Sequence, residues 1–183
     1  KINLVLLFLT SLSLAEIVKD VKVYGNTRIS QEAIIVFGDI NFDTEYNEED
    51  LNSTLKKIYE TNFFKEITLN INNSILEIKV TENPIIEDVQ INGIKSKKLT
   101  NLLLDQIKLK NRNSYIESSF LADLNLIKNL IKNSGYYFAD IKTSSILNEQ
   151  QNSIRLTYDI DLGKRAKINK ISFIGDKKIK DRK

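Results

Sequence analysis

The chain has 183 residues, 42% of them hydrophobic and 28% charged, with a formal net charge of +3. That balance belongs to a globular protein, and it is too slightly basic to argue for nucleic acid. There are no Cys and no His residues, which excludes thiolate nucleophiles, disulfides, the usual zinc sites and every triad that uses imidazole as its base.

The first feature in chain order is an apolar run from Ile2 to Leu14 behind Lys1. It is shorter than the roughly 20 residues that span a bilayer and shows no helical periodicity. It ends Ser13-Leu14-Ala15, with small residues where a signal peptidase needs them. Residues 1–15 therefore read as a secretory signal peptide cleaved between Ala15 and Glu16, and the mature chain is expected to work outside the cytoplasm.

From there one phrase recurs three times: an apolar residue, two spacers, then apolar-x-apolar-x-Gly. It reads Val18-x-x-Val21-x-Val23-x-Gly25, then Ile86-x-x-Val89-x-Ile91-x-Gly93, then Ile168-x-x-Ile171-x-Phe173-x-Gly175. Each copy predicts a strand with its apolar set on one side, closed by a glycine turn. Repetition at this period means a string of small similar modules, which present surfaces to other macromolecules, and not one enzyme body around a central pocket.

Residues 16–83 form the first expected module. Ser30 is placed to cap a short helix over Gln31–Val36, and Asn47 a second, with Glu48, Glu49 and Asp50 in its first turn and Leu51, Leu55, Ile58 and Tyr59 as its apolar stripe. Asn62 suits a left-handed stop. Two strands follow, Ile67/Leu69/Ile71 and Leu76/Ile78/Val80, joined tightly through Asn72-Asn73-Ser74.

Residues 84–165 repeat the order. A strand ends at Gly93, helices lie near Lys97–Ile107 and Ser118–Asn133, and Gly135 stops the second. Ala139 and Ile141 belong to the next strand. Ile154, Leu156, Tyr158, Ile160 and Leu162 then alternate inward against Arg155, Thr157, Asp159 and Asp161 outward. After Ala166 a third module is expected to begin over residues 166–183, so the chain reads as part of a longer protein. The junction Glu82-Asn83-Pro84 carries the only proline, which stiffens the link.

These motifs together resemble POTRA domains of the outer-membrane protein assembly factor family. The resemblance rests on Ile58-Tyr59-Glu60-Thr61-Asn62-Phe63-Phe64-Lys65-Glu66-Ile67, on Val80-Thr81-Glu82-Asn83-Pro84-Ile85-Ile86, on Gly135-Tyr136-Tyr137-Phe138-Ala139-Asp140-Ile141, and on Asp161-Leu162-Gly163 leading to Ile171-Ser172-Phe173-Ile174-Gly175-Asp176. It implies an α+β fold of tandem β-α-α-β-β modules, each a three-stranded mixed sheet with two helices on one face. It also implies a periplasmic array ahead of an outer-membrane β-barrel, meeting unfolded outer-membrane β-barrel proteins, periplasmic chaperones and accessory lipoproteins.

In such modules the second strand lies at a sheet edge, which here implies Glu66, Ile67, Thr68, Leu69, Asn70 and Ile71 in the first. The counterparts in the second are Ala139, Asp140, Ile141, Lys142, Thr143 and Ser144. Neither set contains proline, so either edge is suited to pair with an extended client by β-augmentation.

Other candidates read more simply as structure. Asp159 and Asp161 share a strand face, but without a pocket signature or cation partner they read as solvated. Phe63, Phe64, Tyr136, Tyr137 and Phe138 read as packing between helix end and sheet. Lys164, Arg165, Lys167, Lys170, Lys177, Lys178, Lys180, Arg182 and Lys183 read as surface charge. No dinucleotide, P-loop or metal-ligand spacing appears, so no catalytic, cofactor or metal site is expected, and the chain does not read as an enzyme. The rival readings are a POTRA-bearing subunit of a dedicated secretion or translocation system and a small αβ nucleic-acid-binding protein.

Overall fold

The computed structural model describes residues 15–172. Its elements run β1 (Glu16–Val18), β2 (Asp20–Tyr24), α1 (Gln31–Phe37), β3 (Thr44–Tyr46), α2 (Glu48–Glu60), β4 (Phe64–Asn72), β5 (Ile75–Glu82), β6 (Ile85–Asn92), α3 (Lys97–Gln106), α4 (Glu117–Asn133), β7 (Asp140–Asn148) and β8 (Ser153–Asp161). The most buried strand of each half lies at the centre of its sheet. β5 is flanked by β2 in parallel and β4 antiparallel, and β8 by β6 in parallel and β7 antiparallel. Central placement suits Leu76, Ile78 and Val80 and their counterparts Ile154, Leu156, Tyr158 and Ile160, all of them buried. Each such side chain contributes on the order of 1.5–3 kcal/mol by leaving water.

The helices begin and end where the local chemistry directs. The Ser30 hydroxyl accepts from the Ala33 N–H at 3.2 Å. Asn47 and Asp50 form a reciprocal capping box on α2. α2 stops before Asn62, which adopts φ 62, and α4 stops before Gly135 at φ 93. The link between β4 and β5 is the two-residue turn Asn73-Ser74 with φ of 51 and 63, the left-handed pair that a tight hairpin needs.

The cores stay on their own sides of Pro84. One cluster runs from Val18 to Val80 and includes Ile34, Ile58 and Phe64. Two further clusters, around Leu103, Ile127 and Tyr158 and around Ile86, Leu109 and Leu156, draw only on residues beyond it.

Several expectations need correction. The repeated phrase is not one regular strand, because its first step is three residues and a three-residue step would turn the first apolar side chain to the opposite face. In the first copy the chain breaks at Lys19, so Val18 belongs to β1 and Val21 to β2. In the second, a register shift between Ile86 and Asp88 restores the facing. β1 pairs antiparallel with β3 in a small sheet that the sequence did not announce, since neither strand exceeds three residues. Ala139 precedes β7, and Leu162 follows β8. Ile168 and Ile171 lie in irregular backbone with their side chains exposed, while Phe173, Gly175 and the rest of the third phrase lie outside the described residues, as do residues 1–14.

Candidate functional site: strand edges and the junction between modules

β4 and β7 each pair on one side only, so each leaves a row of backbone N–H and C=O groups open. Glu66 to Ile71 all lie within β4, with Ile67, Leu69 and Ile71 turned toward the helices and half-buried, and Glu66, Thr68 and Asn70 exposed. Asp140 to Ser144 lie within β7, where everything from Lys142 to Asn148 is exposed. The two edges differ. β4 is irregular between Phe64 and Glu66, whereas β7 pairs with β8 without interruption from Asp140 to Asn148. β2 and β6, at the opposite margins, are partly covered: the Gln31 side chain accepts from Val23 N and donates to Val21 O on β2, and on β6 Ile86 N donates to Asn113 O while Arg112 N donates to Ile86 O.

At the junction Glu82 is an interior residue, 5% exposed. One carboxylate oxygen accepts from the backbone N–H groups of Thr27 at 2.8 Å, Arg28 at 2.9 Å and Ile29 at 3.0 Å. The other accepts from the Thr27 hydroxyl at 3.1 Å and Arg28 Nε at 2.9 Å. Burial would raise this carboxyl, but the three N–H donors and the guanidinium outweigh it and hold the pKa at about 2. Arg28 also donates to the Asn83 carbonyl at 2.6 Å.

Asn83 closes the same knot from the other side. Its backbone N–H donates to Phe63 O at 2.8 Å and its side-chain amide to Asn62 O at 3.0 Å. The hairpin tip of the second module reaches back. Asn152, at φ 43, donates from Nδ2 to Glu82 O at 3.2 Å and accepts from Ile85 N at 2.9 Å. Tyr115 N donates to Pro84 O at 2.8 Å. The link is therefore tied to both sides. It is stiffer than the proline alone implied.

Beside this knot lies a cleft of about 620 Å³. Tyr59, Phe64 and Lys65 face it from the first half, and Tyr115 and Ile116, just before α4, with Glu117, its first residue, from the second. Pro84 closes one end, and Ser145, Leu147 and Ile154 lie along the second sheet. Only Lys65 and Glu117 among its lining residues are charged.

The POTRA family, described as a surface antigen variable number repeat, matches residues 84–163. These residues are a POTRA domain. Apart from the added β1 and β3, the preceding half has the same element order and sheet topology, so the described chain is a tandem pair of POTRA folds. Over 97% of its length the chain is 25% identical to the outer membrane protein assembly factor BamA of Neorickettsia risticii, covering 24% of that protein. It is 27% identical over 98% of its length to BamA of Neisseria meningitidis, covering 23%. The chain thus spans about a quarter of the length of these relatives. The N-terminal domain of Omp85 from Thermosynechococcus elongatus shares the fold, with a TM-score of 0.54 at 14% identity, over 82% of this chain and 64% of that one.

The remaining candidates sort clearly within the POTRA frame. Phe63, Phe64 and Tyr136 pack into the cores, and Phe63 lies against Phe37 with ring centroids 5.6 Å apart. Tyr137 and Phe138 do not pack into the core, though Lys132 Nζ lies over the Tyr137 ring, 5.8 Å from its centroid. They are 58% and 83% exposed on the loop before β7, which corrects the packing expectation for both. Asp159 accepts from the Asn92 amide at 2.9 Å and Asp161 from the Gly163 N–H at 3.0 Å, so both serve local structure on an exposed face. Lys164, Arg165, Lys167 and Lys170 sit in irregular exposed backbone, and Lys177, Lys178, Lys180, Arg182 and Lys183 lie outside the described residues. Among the described residues no group of Asp or Glu side chains is placed to hold a metal ion, and no helix is long and apolar enough to cross a membrane.

Reading the sequence missed Arg28, Thr27, Asn152 and Tyr115 as junction residues. Their contribution is made largely by backbone groups and by partners more than 50 residues away for Thr27 and Arg28, and 70 for Asn152, which no local pattern encodes.

Proposed function

We propose that this chain is the periplasmic receiving and scaffold region of an outer-membrane β-barrel assembly machinery, and that it holds extended, unfolded clients by adding them as a strand to a POTRA sheet edge. The similarity to BamA over nearly the whole described chain supports the assembly role. The open, proline-free edges of β4 and β7 are the observation that carries the binding mode. In this reading periplasmic chaperones and accessory lipoproteins are further partners, the outer membrane is where the assembly acts, and no step of the work is catalytic.

The energetics suit such a task. About five backbone hydrogen bonds, each netting about 0.5–1.5 kcal/mol, give about 3–7 kcal/mol. Association entropy takes back a comparable amount, leaving affinity of about millimolar to micromolar. Weak and reversible contact lets a client move on. Backbone pairing ignores most of its side chains.

The expected result is that a nine-residue peptide of barrel-strand type shifts the amide resonances of β4 or β7, with little change in β5 and β8. The same peptide N-methylated along its backbone keeps its side chains but loses its donors, and its affinity should fall at least about tenfold. Equal binding of the two peptides would end the pairing idea.

A further inference from the structure

The two open edges are not equivalent, and the difference lies in what stands beside them. β7 runs nine residues with unbroken pairing to β8, and its only charged side chains are Asp140 and Lys142, both in its first half. Its second half carries two adjacent apolar side chains in solvent, Ile146 at 63% and Leu147 at 50% exposure. Adjacent strand residues face opposite sides. Leu147, opposite Ile154, lines the cleft between modules, and Ser145 does too, whereas Ile146 lies opposite Arg155 on the far face. α4 and its partners cover the inner side of β7 only near its start, around Ile141.

We propose that the cleft between the two modules reads the side chains of an extended chain paired to the second half of β7, selecting strands whose cleft-facing side chains are apolar. This deepens the pairing role proposed above and rests on it. A strand laid along β7 continues the pleat, so every second side chain turns toward the cleft. There it meets Tyr59, Lys65, Tyr115 and Ile116, which line the cleft together with Leu147. Burial and the nearby charge of Glu117 both push the Tyr115 hydroxyl pKa up, so this wall stays neutral at physiological pH. The intervening side chains of the added strand point to the other face, where Ser144, Ile146 and Asn148 are the neighbours on β7, so that face sets no requirement of its own.

The occupant follows from these two requirements together. The open ladder of β7 calls for an extended backbone, and a cleft of about 620 Å³ with two charged residues in its lining calls for apolar side chains at alternate positions. A helix offers no free backbone donors to the edge. The partner that fits is an unpaired, extended strand with apolar side chains at every second position.

The test uses the full chain and three labelled nine-residue peptides, followed by fluorescence anisotropy and by amide shifts in β7. One alternates Leu and Thr, the second replaces each Leu by Ser, and the third has the composition of the first in blocks. The alternating Leu peptide should bind about tenfold more tightly than the Ser peptide and severalfold more tightly than the blocked one. In the double variant Tyr59→Ser, Leu147→Ser the preference for Leu should shrink to within twofold, with the Ser peptide unaffected. Ile146→Ser, on the opposite face, should leave the preference intact. A preference that survives the double variant, or that Ile146→Ser abolishes equally, overturns the cleft as the reader while leaving backbone pairing standing. If no peptide of any pattern shifts β7, backbone pairing fails at this edge and this inference fails with it.

Discussion

Glu82→Ala is expected to cost the first module about 3–5 kcal/mol, because it removes the acceptor from three backbone N–H groups and strands the Arg28 side chain that now pairs with it. Glu82→Gln separates the contributions. Its amide oxygen can still accept from Thr27, Arg28 and Ile29, but its NH₂ group then points a donor at the donor Arg28 Nε. Its cost should be smaller, about 2–3 kcal/mol.

The pH dependence follows from the direction of the shift. The folded carboxyl sits near pKa 2 against an ordinary 4.5, so the unfolded chain binds this proton more readily than the folded one. The stabilisation is therefore complete above about pH 4.5 and drains away as the pH falls toward 2. The difference is worth about 3 kcal/mol at neutral pH, at about 1.4 kcal/mol for each pH unit between the two values. Hydrogen exchange of the β5 amides, measured against those of β8, reads it locally. In Glu82→Gln the β5 amides should exchange faster than wild type at pH 7, and the gap should close toward pH 2. A gap that stayed constant with pH would show that the carboxylate charge is not what holds the junction.

That junction also shows where the amino-acid sequence speaks and where it is silent. Leu76, Ile78 and Val80 alternate in a run of their own, and so do Ile154, Leu156, Tyr158 and Ile160, so period two alone is enough to place β5 and β8. Ser30 and Asn47 announced their helices because a cap satisfies donors only a few residues away. Asn62 and Gly135 announced the stops for the same local reason. Glu82, by contrast, shares the inward face of Leu76, Ile78 and Val80, but nothing nearby supplies the partners that a buried carboxylate needs. Its donors come from a loop 53 to 55 residues earlier. β1 and β3 escaped notice because three residues are too few to show a period. Tyr137 and Phe138 were misplaced by analogy with Phe63 and Phe64. The analogy held for Tyr136, which packs inward, but the chain then leaves the core for two residues before β7 begins.

The recurring glycine carries the other large effect. Gly25 and Gly93 close the first strand of their modules at φ +84 and +83, and in each a Cβ would run into the carbonyl oxygen of the central strand, Val80 in one and Ile160 in the other. Those carbonyls belong to strands paired on both sides, so they have nowhere to move. Gly93→Ala thus adds a backbone conformation that costs about 1–3 kcal/mol to an overlap that only displacement of β6 from β8 can relieve, and about 4 kcal/mol or more is expected in total. In a module of this size that lowers the melting temperature by on the order of 20 °C. Gly163→Ala supplies the control. It shares a positive φ, +60, but its new Cβ would find only the Phe138 carbonyl at 3.5 Å, an ordinary contact. It should cost about 1 kcal/mol. Thermal unfolding of the two variants, with β5 exchange as the reference for the untouched first module, separates steric closure from backbone preference. If Gly163→Ala proves as damaging as Gly93→Ala, the left-handed backbone alone explains the repeated glycine, and its close approach to the central strand contributes nothing.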